Sequence, residues 1–409
     1  MLTPLVDGVT DVIMGTIADR TETRWGKFRP YLLWTAVPFG ILLALTFTTP
    51  GFNITGKLIW AYVTYIFLTL AYTANNVPYS SLTGVMTGNI LERTNVSSFR
   101  FFGAYLGGGI SLIFIPVLVN YLGKGNDSQG YQYTFYILAV LLVIFSLIAF
   151  ASTRERIKPP KAQRTNIKED FNDLIKNRPW IIMLIVGFLW VTYNSIRQGA
   201  APFYFKWYIG GDDKLIGYFF GAVIGASILS SFIATPLTNF FGKKRLFIIV
   251  MAISGLFTSF IYFLNSTNVT GMFVLGTLAE LAAGIMPILF FAMLGDAADY
   301  SEYKKNRRAT GLVFSAGTFA MKFGGGVAGA ITIIVLNIFN YIGKDDSITE
   351  VIEQSDRALQ GIKLVNSFVP VVFIIIAILV VLLYPLTTDK MKEVEAELKV
   401  RKEKEDLSS

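Results

Sequence analysis

From Met1 to Leu386 the chain is a succession of apolar runs, each about 18 to 25 residues long, broken by short polar loops. A helix of that length crosses the roughly 30 Å hydrocarbon layer with every backbone group bonded internally. The sequence therefore predicts an all-α membrane protein, with about eleven spans at 2–18, 31–49, 58–83, 97–122, 133–152, 179–208, 215–240, 246–264, 271–294, 310–340 and 363–386. The composition agrees, with 53% hydrophobic residues, a mean hydropathy of +0.53 and only 16% charged residues. Cysteine and histidine do not occur, which rules out disulfides, thiolate metal sites, zinc chemistry and histidine-based triads. No nucleophile with a base and no phosphate loop is found either, so an enzyme and a resident cofactor are not expected.

The net charge of +8 would suit nucleic acid, but the basic residues sit in short loops between apolar runs, so no such partner is expected. They alternate: Arg20, Arg24, Lys27 and Arg29; Arg93; the stretch from Arg154 to Arg178; Lys243, Lys244 and Arg245; Lys304 to Arg308; then the tail. The opposite loops hold Lys57, Lys124, Lys214, Lys344 and Arg357. The positive-inside rule places the first set and the C-terminus in the cytoplasm of a multi-pass inner-membrane protein, with the lipid bilayer as its surroundings. The Lys- and Glu-rich tail, 387–409, reads as a solvated cytoplasmic helix end.

Residues 153–178, with Pro159 and Pro160, form the one long polar interruption and read as a linker between bundles at 1–152 and 179–386. Gly26-Lys27-Phe28-Arg29 and Gly242-Lys243-Lys244-Arg245 follow corresponding helices, and Gly107–Gly109 pairs with Gly324–Gly326 at almost the same offset, about 216 residues. Such a parallel repeat is the arrangement of the major facilitator fold, two six-helix bundles facing a central site. The second half has one more helix ahead of Gly242 than the first has ahead of Gly26. About 37 residues, the first helix, are thus expected to be missing before Met1.

Charges inside the spans point to the site. Asp7 and Asp11 lie one turn apart on one face, with Gly8 and Gly15 allowing a neighbouring helix to approach. Counting about 1.5 Å per residue from the helix ends, Asp11 and Asp7 lie about 10 to 17 Å deep, Thr73 about 16 Å, Asn76 about 12 Å and Lys322 about 18 Å. Ionised groups at that depth must face an aqueous cavity or one another. Two carboxylates with the hydroxyls of Thr73 and Thr10 make an all-oxygen site for sodium, lithium or a proton. Lys322 can donate to those carboxylates or to substrate hydroxyls, so that loading a cation displaces it. The alternative is a buried ion network that only holds the helices together. Arg100 either snorkels to headgroups or points into the cavity, and Arg197 and Glu280 stay outside the expected site. Asp296, Asp299, Glu302 and Arg308, with Arg307, read as a gate of opposed charges in a loop, or else as solvated loop residues; Asp19 and Arg20 carry the same two readings.

The segments DRTETRWGKFRP (19–30), YTANNVPYSSL (72–82), RFFGAYLGGG (100–109), DAADYSEYKKNRRATG (296–311) and GTFAMKFGGG (317–326) resemble the glycoside-pentoside-hexuronide cation symporters, in their melibiose-carrier-like form, over nearly the whole chain. The resemblance implies a major facilitator fold, a cation site at Asp7, Asp11 and Thr73, and sugar contacts near Asn76, Arg100 and Lys322, with Tyr72, Ser80 and Thr318 beside them. Asn76 stands where the melibiose carrier has an acid and Ser80 where it has a tryptophan, so melibiose itself is not the expected substrate. The amide can donate and accept without adding charge. The expected function is secondary active, cation-coupled uptake of a glycoside, pentoside or hexuronide. A lysolipid carrier of the same fold and a non-transporting sugar receptor are the alternatives.

Overall fold

The computed structural model of the chain describes residues 2–157, 167–343 and 353–407; Met1 and the Pro159–Pro160 pair lie outside them. Small polar side chains set many of the helix starts. Asn53, Asn89, Asn126, Asn177, Asp212 and Asn268 accept backbone N–H bonds at the first turns of α3 (Ile54–Val85), α4 (Ile90–Gly123), α5 (Asp127–Ser152), α7 (Arg178–Phe203), α8 (Asp213–Phe241) and α10 (Val269–Ala283). The other helices are α1 (Leu2–Arg20), α2 (Arg29–Thr46), α6 (Ile167–Ile175), α9 (Lys243–Phe260), α11 (Met286–Lys305), α12 (Thr310–Ile338), α13 (Asp356–Asn366), α14 (Phe368–Leu382) and α15 (Thr388–Leu407). Among the described residues no strand occurs.

Among the described residues ten segments are long and apolar enough to cross a membrane. The eleventh expected span, α1, is not among them, because Asp7, Asp11, Asp19 and Arg20 fall within its 19 residues. Two expected spans are each broken in two. The run 363–386 is split at Ser367 into α13 and α14. The run 271–294 breaks at Gly284, where Pro287 in the first turn of α11 lacks the N–H that would continue the ladder. At the break the carbonyl of Gly284 accepts the Tyr105 hydroxyl of α4 at 2.9 Å, and a Cβ added there would lie 2.2 Å from Ser230 Oγ.

Beyond the break, α11 runs on to Lys305 and is buried nearly all round. This corrects the loop expected at Asp296, Asp299 and Glu302: all three lie on this buried helix. The tail also departs from expectation. In α15, Met391, Val394 and Leu398 recur at helical spacing and are buried, docking the helix across α11 and α4.

The N-terminal and C-terminal helices meet along two seams, α1 against α12 and α4 against α8. By the glycine pattern α1 corresponds to α8 and α4 to α12, so the seams are images of each other under the repeat. The first is close because of glycine: a Cβ on Gly15 would lie 2.5 Å from the Gly311 carbonyl and 2.4 Å from Ser315 Oγ.

Candidate functional site

Asp11 is the centre. It is wholly buried, brought by α1 between α3 and α12. Its Oδ1 accepts from Lys322 Nζ at 2.8 Å and from Thr73 Oγ1 at 3.1 Å, and its Oδ2 from Thr318 Oγ1 at 3.3 Å. Three donors on one carboxylate, from two other helices, satisfy a charge that would otherwise cost several kcal/mol inside a membrane. Lys322 keeps 21% of its side chain exposed, and its ammonium stands 5.4 Å from the centre of the Tyr72 ring. The pair thus has one buried partner and one that reaches open space.

Asp7 shares the helix face but sits apart. Among the described residues its carboxylate has no hydrogen bond or ion pair, and Thr10 Oγ1 turns back to the Asp7 main-chain carbonyl at 2.8 Å. Asn76 is half-buried, one turn from Thr73, and its amide likewise makes no hydrogen bond among the described residues. Arg100 points inward: its Nη2 donates to the buried Ser80 Oγ at 2.8 Å, and the guanidinium lies 4.2 Å from the Phe291 ring and 4.9 Å from the Tyr79 ring. Cation–π attraction of this kind offsets part of the desolvation. Tyr72, Thr73, Asn76 and Ser80 therefore lay out one side of α3 between two positive groups, Lys322 at one end and Arg100 at the other.

A second cluster closes the end of the bundle that carries the basic loops. Arg93 donates to Asp296 at 2.7 Å and to Asp299 at 2.6 Å, and Lys243 holds Asp296 at 2.7 Å. Arg308 donates to Asp299 at 2.5 Å, to Glu302 at 2.8 Å and to the Gly84 carbonyl at 2.8 Å. Burial alone would weaken the Arg308 charge, but the Asp299 and Glu302 carboxylates outweigh it and hold its pKa above the ordinary arginine value. Asp19 caps α12 from the other side of the seam, accepting the N–H groups of Gly311 and Leu312 at 2.8 and 2.9 Å. Arg20 stands at the rim, 3.8 Å from Asp170. The solvated-loop reading is thus corrected for Asp296, Asp299, Glu302 and Arg308, which are all buried.

Sequence reasoning missed Arg93 and Lys243 as members of this cluster, counting them as topology charges. The signal for Arg93 was there: it lies seven residues before Arg100, two turns along the same face of α4. Arg197 and Glu280, set aside from the site, are bonded to each other, with Ser227 Oγ donating to Glu280 at 2.7 Å.

A bundle of helices long and apolar enough to cross a membrane, with a buried charged pair between two sets of helices and an ion-pair cluster at one end, is the architecture of a major facilitator transport protein, multi-pass in the membrane. The chain matches the family described as MFS/sugar transport protein over residues 1–388, and it belongs to that family. It is 33% identical to the isoprimeverose transporter of Lactiplantibacillus pentosus, covering 90% of this chain and 76% of that one. It is 31% identical to the inner membrane symporter YicJ of Escherichia coli (strain K12), covering 96% and 84%. These relatives agree with the glycoside-pentoside-hexuronide motifs. An Escherichia coli fucose:proton symporter superposes with a TM-score of 0.68 at 9% identity over 94% of this chain and 90% of that one, a likeness of fold.

Proposed function

We propose that the protein couples uptake of a sugar, of the glycoside, pentoside or hexuronide class, to entry of a monovalent cation by alternating access. The observation that carries this reading is the Lys322 ammonium seated on the same carboxylate, Asp11, that Thr73 and Thr318 line with hydroxyls. A cation arriving at Asp11 competes with Lys322 for Oδ1. The donor set fits a small hard ion or a proton, because every group on it is oxygen; Asp7, one turn away with its carboxylate uncommitted, is the further oxygen donor. Lys322, displaced, is released toward the space beside Tyr72 and Asn76, where its three N–H donors meet sugar hydroxyls. Cation loading and sugar binding are then linked through one side chain, which is what coupling requires.

The basic end is taken as cytoplasmic, with the C-terminus inside. The Arg93, Lys243 and Arg308 lock then closes the inner face while the site loads from outside. Residues 1–152 and 179–386 rock against each other along the two seams, about the linker 153–178, to release both solutes within. The test is uptake of labelled xylosides, galactosides and glucuronides into vesicles, with and without sodium, lithium or proton gradients, by the wild type and by Asp11→Asn. Gradient-driven uptake that the substitution abolishes or uncouples supports the site and names both solutes. Absence of uptake and of counterflow for every sugar under every gradient sinks the reading in favour of a receptor.

A further inference from the structure

We propose that α6, the nine-residue helix ahead of α7, is an interfacial helix that docks on anionic phospholipid of the bilayer in which the protein sits. Its two sides differ in character, acidic toward the protein and apolar away from it, with bases following its end. Toward the protein, Glu169 and Asp170 accept from Arg307 at 2.5 and 2.7 Å, Asp173 lies 3.5 Å from the same guanidinium, and Arg20 reaches Asp170. Leu174 is buried in the core on this side, and one turn on Asn177 donates to the Ala297 carbonyl at 2.9 Å. Away from the protein, Phe171 and Ile175 are 48% and 50% exposed, Asn172 lies between them, and Lys176 and Arg178 follow, all exposed.

All three acids of the helix lie beside Arg307, Asp170 buried and Glu169 at the edge with 57% of its side chain exposed, and the outward stripe is apolar with flanking bases. A face built for water has no use for a phenylalanine and an isoleucine side by side at i and i+4. A helix lying in the headgroup region has that pattern: apolar side chains enter the acyl boundary and Lys or Arg beside them meet lipid phosphates. Its height in the fold agrees. Two residues separate the end of α6 from the start of α7 at Arg178, where Pro179 opens a helix long and apolar enough to cross a membrane, so the outer stripe stands at the mouth of a span. Anionic lipid supplies the complementary charge. The same helix grips Arg307 of the α11–α12 connection and Arg20 at the end of α1, so lipid held by α6 also anchors the rim of the ion-pair lock.

The natural absence of cysteine makes the test clean. Asn172→Cys in the full chain takes one environment-sensitive fluorophore, and the labelled protein is placed in vesicles of phosphatidylcholine alone or with phosphatidylglycerol. Each basic group near an anionic surface is worth about fivefold in partitioning. Quenching by an aqueous quencher is therefore expected to slow about fivefold or more in the phosphatidylglycerol vesicles and to recover in high salt. Adding Lys176→Glu, a change of two charge units, weakens that shielding about 25-fold, and Phe171→Ser weakens it through the apolar side. Equal quenching in both lipids, or shielding that persists in neutral detergent, overturns the proposal. So does shielding that arises only when soluble cell extract is added, which would identify a protein partner instead.

Discussion

Replacing Lys322 with alanine would leave the Asp11 carboxylate buried with two hydroxyl donors and no cation, a loss of the order of 3–5 kcal/mol for an unmatched buried charge. The Lys322→Ala variant should therefore melt well below the wild type in cation-free buffer, and added coupling cation should raise its melting temperature more than it raises the wild type's. Thermal unfolding in detergent with a cation titration checks this; equal cation shifts in both proteins would remove Lys322 from the coupling scheme. The hydroxyls act on a smaller scale. One hydrogen bond contributes about 0.5–1.5 kcal/mol, so Thr73→Val should raise the half-saturating cation concentration about two- to tenfold. Thr318→Val should do less, because its hydroxyl lies at 3.3 Å and is shared with the Ser315 carbonyl. Asp11, Thr73 and Lys322 were legible in the sequence because helix rise is fixed, so counting residues from a span's end gives depth. The inward turn of Thr10 to its own helix was not legible, since threonine hydroxyls in helices readily bond back to a preceding carbonyl.

At the level of elements, the α1–α12 seam is the most sensitive to size. A methyl group on Gly15 meets both the Gly311 carbonyl and Ser315 Oγ inside contact distance, and overpacking of that kind costs about 1–3 kcal/mol. Gly15→Ala is expected to lower the melting temperature and slow uptake, whereas alanine at Gly103, with open space around it, should change neither; a thermal-shift measurement on the two variants decides. Most helices were legible within a few residues, because length and apolarity define a span. The break at Gly284 was hidden, since Gly284 and Pro287 lie inside a continuous apolar run. The extension of α11 was hidden for the opposite reason: three acids read as the end of a span, and only their cations on α4, on α9 and at Arg308 keep the helix going. In α15, too, three buried apolar residues are diluted among charges.

For the whole molecule, the proposed mechanism has the ion pairs at the basic end set which side is closed. Removing Arg93 leaves Asp296 with Lys243, and Asp299 and Glu302 with Arg308, two separate groups in place of a continuous network. Arg93→Ala should shift the population toward the form open at that end. Spin labels on Leu91→Cys and Lys305→Cys, in a chain without native cysteine, should report a longer distance in the variant. An unchanged distance distribution would mean the lock is not what holds the end shut. The repeat and the two-bundle plan could be read from glycines and basic loops. Of the ion-pair cluster, Asp296, Asp299, Glu302 and Arg308 could be read as opposed charges, whereas their pairing with Arg93 and Lys243 could not, because pairing between distant helices leaves no local pattern.

That long-range pairing also bears on how the chain is made. Arg93 and Asp296 are 203 residues apart, and at about 5–20 residues per second a ribosome needs about 10–40 s to cover that distance. Through that interval α4 is in the membrane with its guanidinium unmatched, held near the headgroups until α11 arrives with the acids. A nascent chain halted before α11 would keep that cation without the acids that neutralise it in the finished fold.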